Sequence, residues 1–338
     1  MLKVAINGFG RIGRSAFKIA VDKFSDQIEI VAINDLGDAK TLAHLLKYDS
    51  NYGVWNHDVS SDSKHIIVDQ KHYLVLQEKE PDKLPWKELQ VDVVVESTGK
   101  FTKGEQAKLH LQAGAKKVVI SAPVHAQDME KVNTYLLGVN ADQYSGEDVI
   151  SNSSCTTNSV APVAAVMNLK FGIQKAMMTT VHAYTQDQNL QDGSHKDLRR
   201  ARGAAQNIVP ATTGAAISTT EVIPELKGKF DGTALRVPVS VGSISDFTFL
   251  LKKKVTVEEV NKALKEATEG EMKNILAVTD EPVVSSDIVG RSESAIVDLS
   301  LTQVVDGDMV KLFAWYDNEF GYSNRLIEQV INVGNQKA

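Results

Sequence analysis

Apolar residues recur along this chain in short runs and at helical spacing, and the two alternate through its first half. Leu2-Lys3-Val4-Ala5-Ile6 has the character of a buried strand, and Ile12, Ala16, Ile19 and Ala20 then repeat as one face of a helix. A second run, Ile28 to Ile33, predicts the next strand, and Val91 to Val95 a further one. A helical stretch from Lys103 to Ala113 and a strand from Lys117 to Ile120 continue the alternation. Between them, His65–Val68 and His72–Leu76 read as antiparallel hairpins inserted into this first domain. Alternation of this kind predicts a parallel sheet covered by helices.

The second half reads differently. Val160, Val163, Ala164 and Met167 predict an amphipathic helix, which Pro162 should kink or delay. Strands are expected from Lys175 to Tyr184, Ala234 to Pro238, Phe247 to Leu251, Ala295 to Leu301 and Val310 to Trp315. Val257 to Ala267 forms one amphipathic helix, and Leu326, Ile327, Val330 and Ile331 mark a last one. The fold class expected is therefore α/β: a Rossmann-type dinucleotide-binding domain followed by an α+β domain with a mostly antiparallel sheet. The boundary is placed at 150/151, with 151–318 as the second domain and the terminal segment 319–338 returning to the first.

Composition narrows the function class. The 338 residues suit two domains, and 43% hydrophobic with 24% charged residues is ordinary for a soluble globular protein. A net charge of −6 gives no reason to expect nucleic acid as a partner, and no apolar run has a membrane-spanning length. The start MLKVAINGFG lacks the layout of a signal peptide, and a single cysteine cannot form an internal disulfide, so the expected location is the cytoplasm. No C-x-x-C or H-E-x-x-H spacing suggests a metal.

Two stretches carry chemistry. Gly8-Phe9-Gly10-Arg11-Ile12-Gly13 lies between the first strand and the first helix, and Asp35 follows Gly13 by 22 positions at the tip of the second strand. Glycines let backbone approach a pyrophosphate, the helix start offers N–H groups to it, and the carboxylate can accept ribose hydroxyls. In Ser151-Asn152-Ser153-Ser154-Cys155-Thr156-Thr157-Asn158, the only cysteine sits in polar company just before a helix. Free N–H groups there favour a thiolate, which points to a reactive thiol. His182 lies alone on its strand, where a histidine is more often structural than catalytic. The polar stretch Thr185 to Gly203, with Arg199, Arg200 and Arg202, is longer than most connections and suggests a functional or interface role.

The segments INGFGRIGR, AHLLKYDS, SCTTN, HAYT, HKDLRRAR, TTGAA, PELKGK, RVP, EPVVSSD and WYDNEFGYS run from one end of the chain to the other. Together they resemble the phosphorylating glyceraldehyde-3-phosphate dehydrogenase family. The resemblance implies Cys155 as nucleophile and His182 as its activating base. It assigns the substrate's phosphate to Thr185 and Arg236, with Arg200 nearby, and the attacking inorganic phosphate to Ser154, Thr156, Thr213 and Gly214. For NAD it implies Gly8, Gly10, Arg11, Ile12 and Gly13 at the pyrophosphate turn, Asp35 on the ribose, and Ser121 and Asn318 on the nicotinamide side. It further implies a homotetramer, with the arginine-rich loop at a subunit interface.

Departures from the family pattern bear on specificity. Ser159 replaces a second cysteine, Lys79 stands where many members have an adenine-contacting arginine, and Gly193-Ser194 replaces a Leu-Pro pair. A serine there accompanies forms that accept NADP, whereas the Asp35 charge opposes a 2′-phosphate. NAD preference is the expectation, with NADP use left open. The same residues would also serve an erythrose-4-phosphate dehydrogenase or a dinucleotide-binding protein without turnover.

Overall fold

Continuous apolar strands buried on both faces build the first sheet. In the computed structural model, which describes residues 1–124 and 132–336, the chain divides into two compact units. The first comprises Met1–Tyr135, Asp142–Ser153 and Ser323–Ala338. Its central strand β1 (Leu2–Asn7) leads into helix α1 (Arg11–Lys23), and β2 (Ile28–Asn34) returns parallel to β1 with Asn7 opposite Asn34. Phe17, Ile19 and Ala20 bury the inner face of α1. Helix α2 (Ala39–Lys47), which the hydrophobic pattern did not predict, is capped by Asp38 accepting from the Thr41 N–H.

A small pair β3 (Tyr48–Asp49) and β4 (Gly53–Val54) precedes β5 (Val59–Ser61), β6 (His65–Val68) and β7 (Lys71–Leu76). These last three pair antiparallel among themselves, but β7 also pairs parallel with β2. The expected hairpin insertion is thus a continuation of the main sheet. After the short helix α3 (Trp86–Leu89), strand β8 (Val93–Glu96) takes the other side of β1, with Asn7 opposite Glu96. The sheet therefore reverses its order at β1, where the carboxyl ends of the strands leave a crevice.

The expected helix from Lys103 to Ala113 is two pieces, α4 (Gly104–Ala107) and α5 (Leu109–Gln112). At the junction, backbone bonds run i to i+3, as from Leu111 N to Lys108 O, which tightens the turn and ends the α-helical ladder. Strands β9 (Lys117–Ile120), β10 (Asn133–Thr134) and β11 (Val149–Ser151) complete a nine-stranded sheet.

The second unit comprises Leu136–Ala141 and Ser154–Tyr322. Leu136–Ala141 belong here because Gly138 packs against Met272 and Ile275. Helix α6 (Cys155–Phe171) is buried on nearly every side rather than amphipathic, since Ala161 and Val166 are as enclosed as Val160, Val163 and Met167. It begins at Cys155 and runs through Pro162 without interruption, so the proline neither delays nor breaks it. Strand β12 (Ile173–Ala183) pairs antiparallel with β15 (Ser243–Leu251) and parallel with β14 (Phe230–Val237), which in turn pairs with β13 (Val209–Ala211).

Helices α7 (Ala215–Val222) and α8 (Val257–Glu269) share the core with α6, and Thr256 and Glu259 close a reciprocal capping box on α8. Strands β16 (Leu276–Thr279), β17 (Ala295–Asp298), β18 (Gln303–Val305) and β19 (Met309–Tyr316) complete the sheet. Antiparallel pairs predominate, as expected. Strand β17 stops at Asp298 instead of Leu301, because the Asp298 carboxylate accepts from Ser300 and Trp315 and the chain turns. The last helix, α9 (Phe320–Asn335), belongs to the first unit from Ser323 onward, and residues 337 and 338 of the expected terminal segment lie outside the described residues.

Candidate active site

The glycine turn of the first unit is shaped by backbone approach. Gly8 has φ 93°, and a Cβ there would lie 2.6 Å from the Thr98 nitrogen. At Gly13 a Cβ would meet the Gly8 carbonyl oxygen at 2.1 Å. Gly10 differs: a Cβ there would touch nothing in the protein, so the space it leaves open is available to a ligand. No side chain caps α1 at Gly10, and no acidic residue lies in its first turn. Both features suit an anion at a helix start.

The Arg11 guanidinium is engaged by Asp49 at 2.7 Å, so Arg11 and Ile12 offer a pyrophosphate their backbone. Asp35 is oriented by the Phe9 N–H at 2.7 Å and the Gly37 N–H at 2.9 Å, one on each carboxylate oxygen, with acceptor capacity left for ribose hydroxyls. Ser121 follows β9 and its N–H donates to the Glu96 carbonyl. These residues fit a dinucleotide. In the second unit, the side-chain oxygen of buried Asn318 accepts from Gly242 N–H and Ser243 Oγ, which assigns the other terminal atom as the NH2 donor.

Cys155 opens α6. Ser154 caps the helix by accepting from the Thr157 N–H at 3.0 Å, which fixes Cys155 as its first residue. Ser153, just ahead, has φ 55°, a left-handed conformation uncommon outside glycine. The thiol Sγ lies 3.5 Å from His182 Nε2 and 4.0 Å from Thr156 Oγ1. His182 reaches it from near the end of β12 and is paired in register with Arg236 on β14. Its Nδ1 is 2.6 Å from the Ala183 carbonyl oxygen, so the proton is assigned to Nδ1 and the Nε2 lone pair faces the sulfur. Arg236 Nη1 donates to the same Ala183 carbonyl at 3.1 Å; its 2.7 Å approach to Nδ1 sets donor against donor in this tautomer and is not a hydrogen bond.

Electrostatics set the resting protonation. Burial, then the Arg236 charge, push the His182 imidazolium down to about 3, so the ring is neutral at physiological pH. Cys155 is partly exposed as a residue, yet burial is the largest influence on its thiol and pushes it above its ordinary value. Arg236, the Thr156 hydroxyl and the N–H groups at the helix start act in the opposite direction. The helix start does favour a thiolate, as expected, while burial acts against it and is the larger influence.

The remaining expected residues lie on β14, in the loop after β12 and at the starts of α6 and α7. Arg236 is itself lowered by burial and further by Arg200, with Asp187 opposing. Arg200 forms an ion pair with Asp187 and donates to the Thr212 carbonyl at 3.2 Å, beside Thr213 and Gly214 at the start of α7. A Cβ at Gly214 would meet nothing, leaving that helix start open. Ser154 Oγ accepts from Thr157 N–H and also contacts Thr157 Oγ1 at 2.7 Å. If it accepts both, its own hydrogen remains for an anion. Thr185 follows β12, with its N–H on Gln188 Oε1.

Family comparison fits this geometry. Residues 2–104 match the NAD binding domain of glyceraldehyde 3-phosphate dehydrogenase, and residues 154–318 match its C-terminal domain. Among curated relatives, the glyceraldehyde-3-phosphate dehydrogenase of Geobacillus stearothermophilus is 54% identical over 97% of this chain and 96% of its own. That of Mycolicibacterium smegmatis is 54% identical over 98% of both chains, and glyceraldehyde-3-phosphate dehydrogenase 2 of Streptomyces avermitilis 52% over 99% of both. The chain belongs to the glyceraldehyde-3-phosphate dehydrogenase family.

Within this member of the glyceraldehyde-3-phosphate dehydrogenase family, sequence reading missed the group packed against Thr156 and His182. Tyr316 OH bonds Thr180 Oγ1 at 2.7 Å and Thr156 Oγ1 at 3.0 Å, and its ring meets the His182 ring edge to face at 5.9 Å. Burial raises the Tyr316 phenol, so it stays a hydroxyl and braces both Thr156 and His182. Asp187, the counterion of Arg200, was likewise missed. The signal for Tyr316 was its place in the WYDNE segment. For Asp187 no local signal existed.

The lowered His182 has a stability consequence. Folded, its pKa is about 3 against 6.5 for an ordinary histidine, so between those values the unfolded chain binds a proton that the folded one does not. Stability from this group is complete above pH 6.5 and falls as pH drops toward 3. At pH 4.5 the loss should be roughly 2–3 kcal/mol relative to pH 7. Urea denaturation at both pH values should show that difference shrinking in His182→Gln.

Proposed function

We propose that this protein oxidises and phosphorylates D-glyceraldehyde 3-phosphate, with the Cys155–His182 pair at the centre of the chemistry. The observation that carries this is the 3.5 Å approach of His182 Nε2 to Cys155 Sγ at a capped helix start. His182 takes the thiol proton as sulfur attacks the aldehyde carbon, giving a thiohemiacetal on Cys155. The Cys155 N–H at the start of α6 and His182 hold the oxyanion. NAD, bound at the glycine turn with Asp35 and Ser121, would supply the hydride acceptor, and the family resemblance assigns Asn318 to its nicotinamide side. Loss of hydride leaves a thioester, and inorganic phosphate attacks its carbonyl to release an acyl phosphate and restore the thiol.

Arg236, Thr185 and Arg200 are assigned to the substrate's phosphate, and Ser154, Thr156, Thr213 and Gly214 to the attacking one. Guanidinium, hydroxyl and N–H donors are what such anions need. On this reading residues 1–150 with 319–338 form the NAD-binding domain and 151–318 the catalytic domain. Complete phosphate-side residues favour phosphorolysis over the simple oxidation of erythrose 4-phosphate. NADH formation that requires both glyceraldehyde 3-phosphate and phosphate tests it. Oxidation that proceeds equally without phosphate would point to the erythrose 4-phosphate reading.

NAD is the preferred cofactor in this proposal, because the oriented Asp35 carboxylate would repel a 2′-phosphate. Asp35→Gly should raise KM for NAD and shift the NADP-to-NAD ratio of kcat/KM upward by at least about tenfold. Comparable kcat/KM for the two cofactors in the wild type would contradict the preference. The proposed homotetramer needs a self-association surface, and the loop between Ala183 and Val209 offers one by exposing Leu190 and Leu198 by 74% and 82% and Ile208 by 68%. Sedimentation equilibrium measures that state directly. Among the described residues no helix is long and apolar enough to cross a membrane, and the proposed location is the cytoplasm.

A further inference from the structure

Beneath Gly8 and Asp35 runs a row of buried polar side chains that the chemistry above does not use. It begins at Trp86, whose Nε1–H donates to His110 Nδ1 at 2.9 Å. That bond makes Nδ1 the acceptor, so Nε2 carries the proton and donates to Glu96 Oε2 at 3.0 Å. Asn7 Nδ2 donates to the same oxygen at 2.6 Å. The other oxygen, Oε1, accepts from the Thr98 N–H at 2.9 Å and the Thr98 hydroxyl at 2.5 Å. Asn7 Oδ1 accepts from Asn34 Nδ2 at 2.7 Å, and the Asn34 amide closes a reciprocal pair with the Glu78 backbone, both bonds at 2.9 Å. Trp86, His110, Glu96, Asn7 and Asn34 are each at most 4% exposed.

Register explains how the row forms. Asn7 stands opposite Asn34 on one side and Glu96 on the other, so the last residues of β2, β1 and β8 lie side by side. Burying a carboxylate is costly unless its acceptor sites are filled, and here four donors fill them. Packed apolar side chains would hold three strands together at least as well. What a saturated network adds is fixed geometry, and each member leads directly into a binding element. Asn7 precedes Gly8, whose N–H bonds the Asn34 carbonyl at 2.8 Å, and Asn34 precedes Asp35. Glu96 precedes Ser97, whose hydroxyl bonds the Gly8 carbonyl at 2.7 Å.

We propose that Glu96, with Asn7, Asn34 and His110, is a positioning residue for the dinucleotide: it fixes the spacing between the glycine turn and Asp35. This rests on the NAD reading of the first unit. The test compares full-length wild type, Glu96→Gln and Thr98→Val by NAD calorimetry, steady-state kinetics and melting temperature. Glu96→Gln should raise both Kd and KM for NAD roughly tenfold, the effect of one charge-assisted hydrogen bond. In that variant kcat at saturating NAD and KM for the aldehyde should stay within about twofold, because only cofactor placement changes. Thr98→Val removes one hydroxyl donor at a half-buried position and keeps the fold, and it should move Kd the same way by about threefold. A wild-type Kd for NAD in both variants, whatever happens to melting temperature, would overturn the proposal and leave the row a purely structural device. If Glu96→Gln does not fold, an unchanged Kd in Thr98→Val is sufficient to reject it. A wild type that binds no NAD would instead show that the cofactor reading itself is wrong.

Discussion

Cys155→Ser should fold as the wild type does and lose NADH formation by at least about 10⁴-fold. The fold is expected to survive because the cap on α6 is made by Ser154 and Thr157, not by residue 155. The helix behind it is fixed by Val160, Val163, Ala164 and Met167 packed in one core with Phe247, Phe249 and Leu312. Activity should not survive, because a serine hydroxyl beside a neutral imidazole is a far weaker nucleophile toward the aldehyde and yields an ester in place of a thioester. Unchanged circular dichroism and NAD affinity, alongside the lost rate, would separate this from misfolding.

His182→Asn should lower kcat/KM by roughly 10²–10⁴-fold, the usual span for a positioned general base. Its pH profile should change shape as well as height. In the wild type His182 is neutral throughout the physiological range, and it can accept the thiol proton at the moment of attack. The variant must instead rely on thiol that has already ionised, and burial has raised that thiol above its ordinary value. Its rate should therefore climb tenfold per pH unit across the neutral and mildly alkaline range, where the wild type is nearly flat. A variant profile parallel to the wild type's would remove His182 from the proton transfer.

Local signals made the first unit readable. Gly8, Gly13 and Asp35 announce themselves by spacing because strand, turn, helix and strand are contiguous. Their physical reasons, such as the 2.1 Å that a Cβ at Gly13 would leave to the Gly8 carbonyl, only became visible in three dimensions. Cys155 was legible through its polar neighbours, and Ser154 does cap the helix. His182 was not singled out by periodicity, since its pairing with Arg236 depends on a parallel register between strands 54 residues apart.

Tyr316, braced against Thr156 and Thr180, depends on register in the same way. So do the influences on the thiol: the helix start can be read locally, but the burial that opposes it comes from tertiary packing. The break between α4 and α5 and the continuity of α6 through Pro162 show the same division, because backbone hydrogen bonding and burial on every side outweighed the local pattern.

The covalent role of Cys155 is best tested by mass spectrometry of the intact protein after mixing with NAD and glyceraldehyde 3-phosphate in the absence of phosphate. The expected result is one NADH formed per subunit together with an acyl adduct on Cys155 that disappears when phosphate is added. NADH formed with no adduct on Cys155, or an equal adduct in Cys155→Ser, would contradict it.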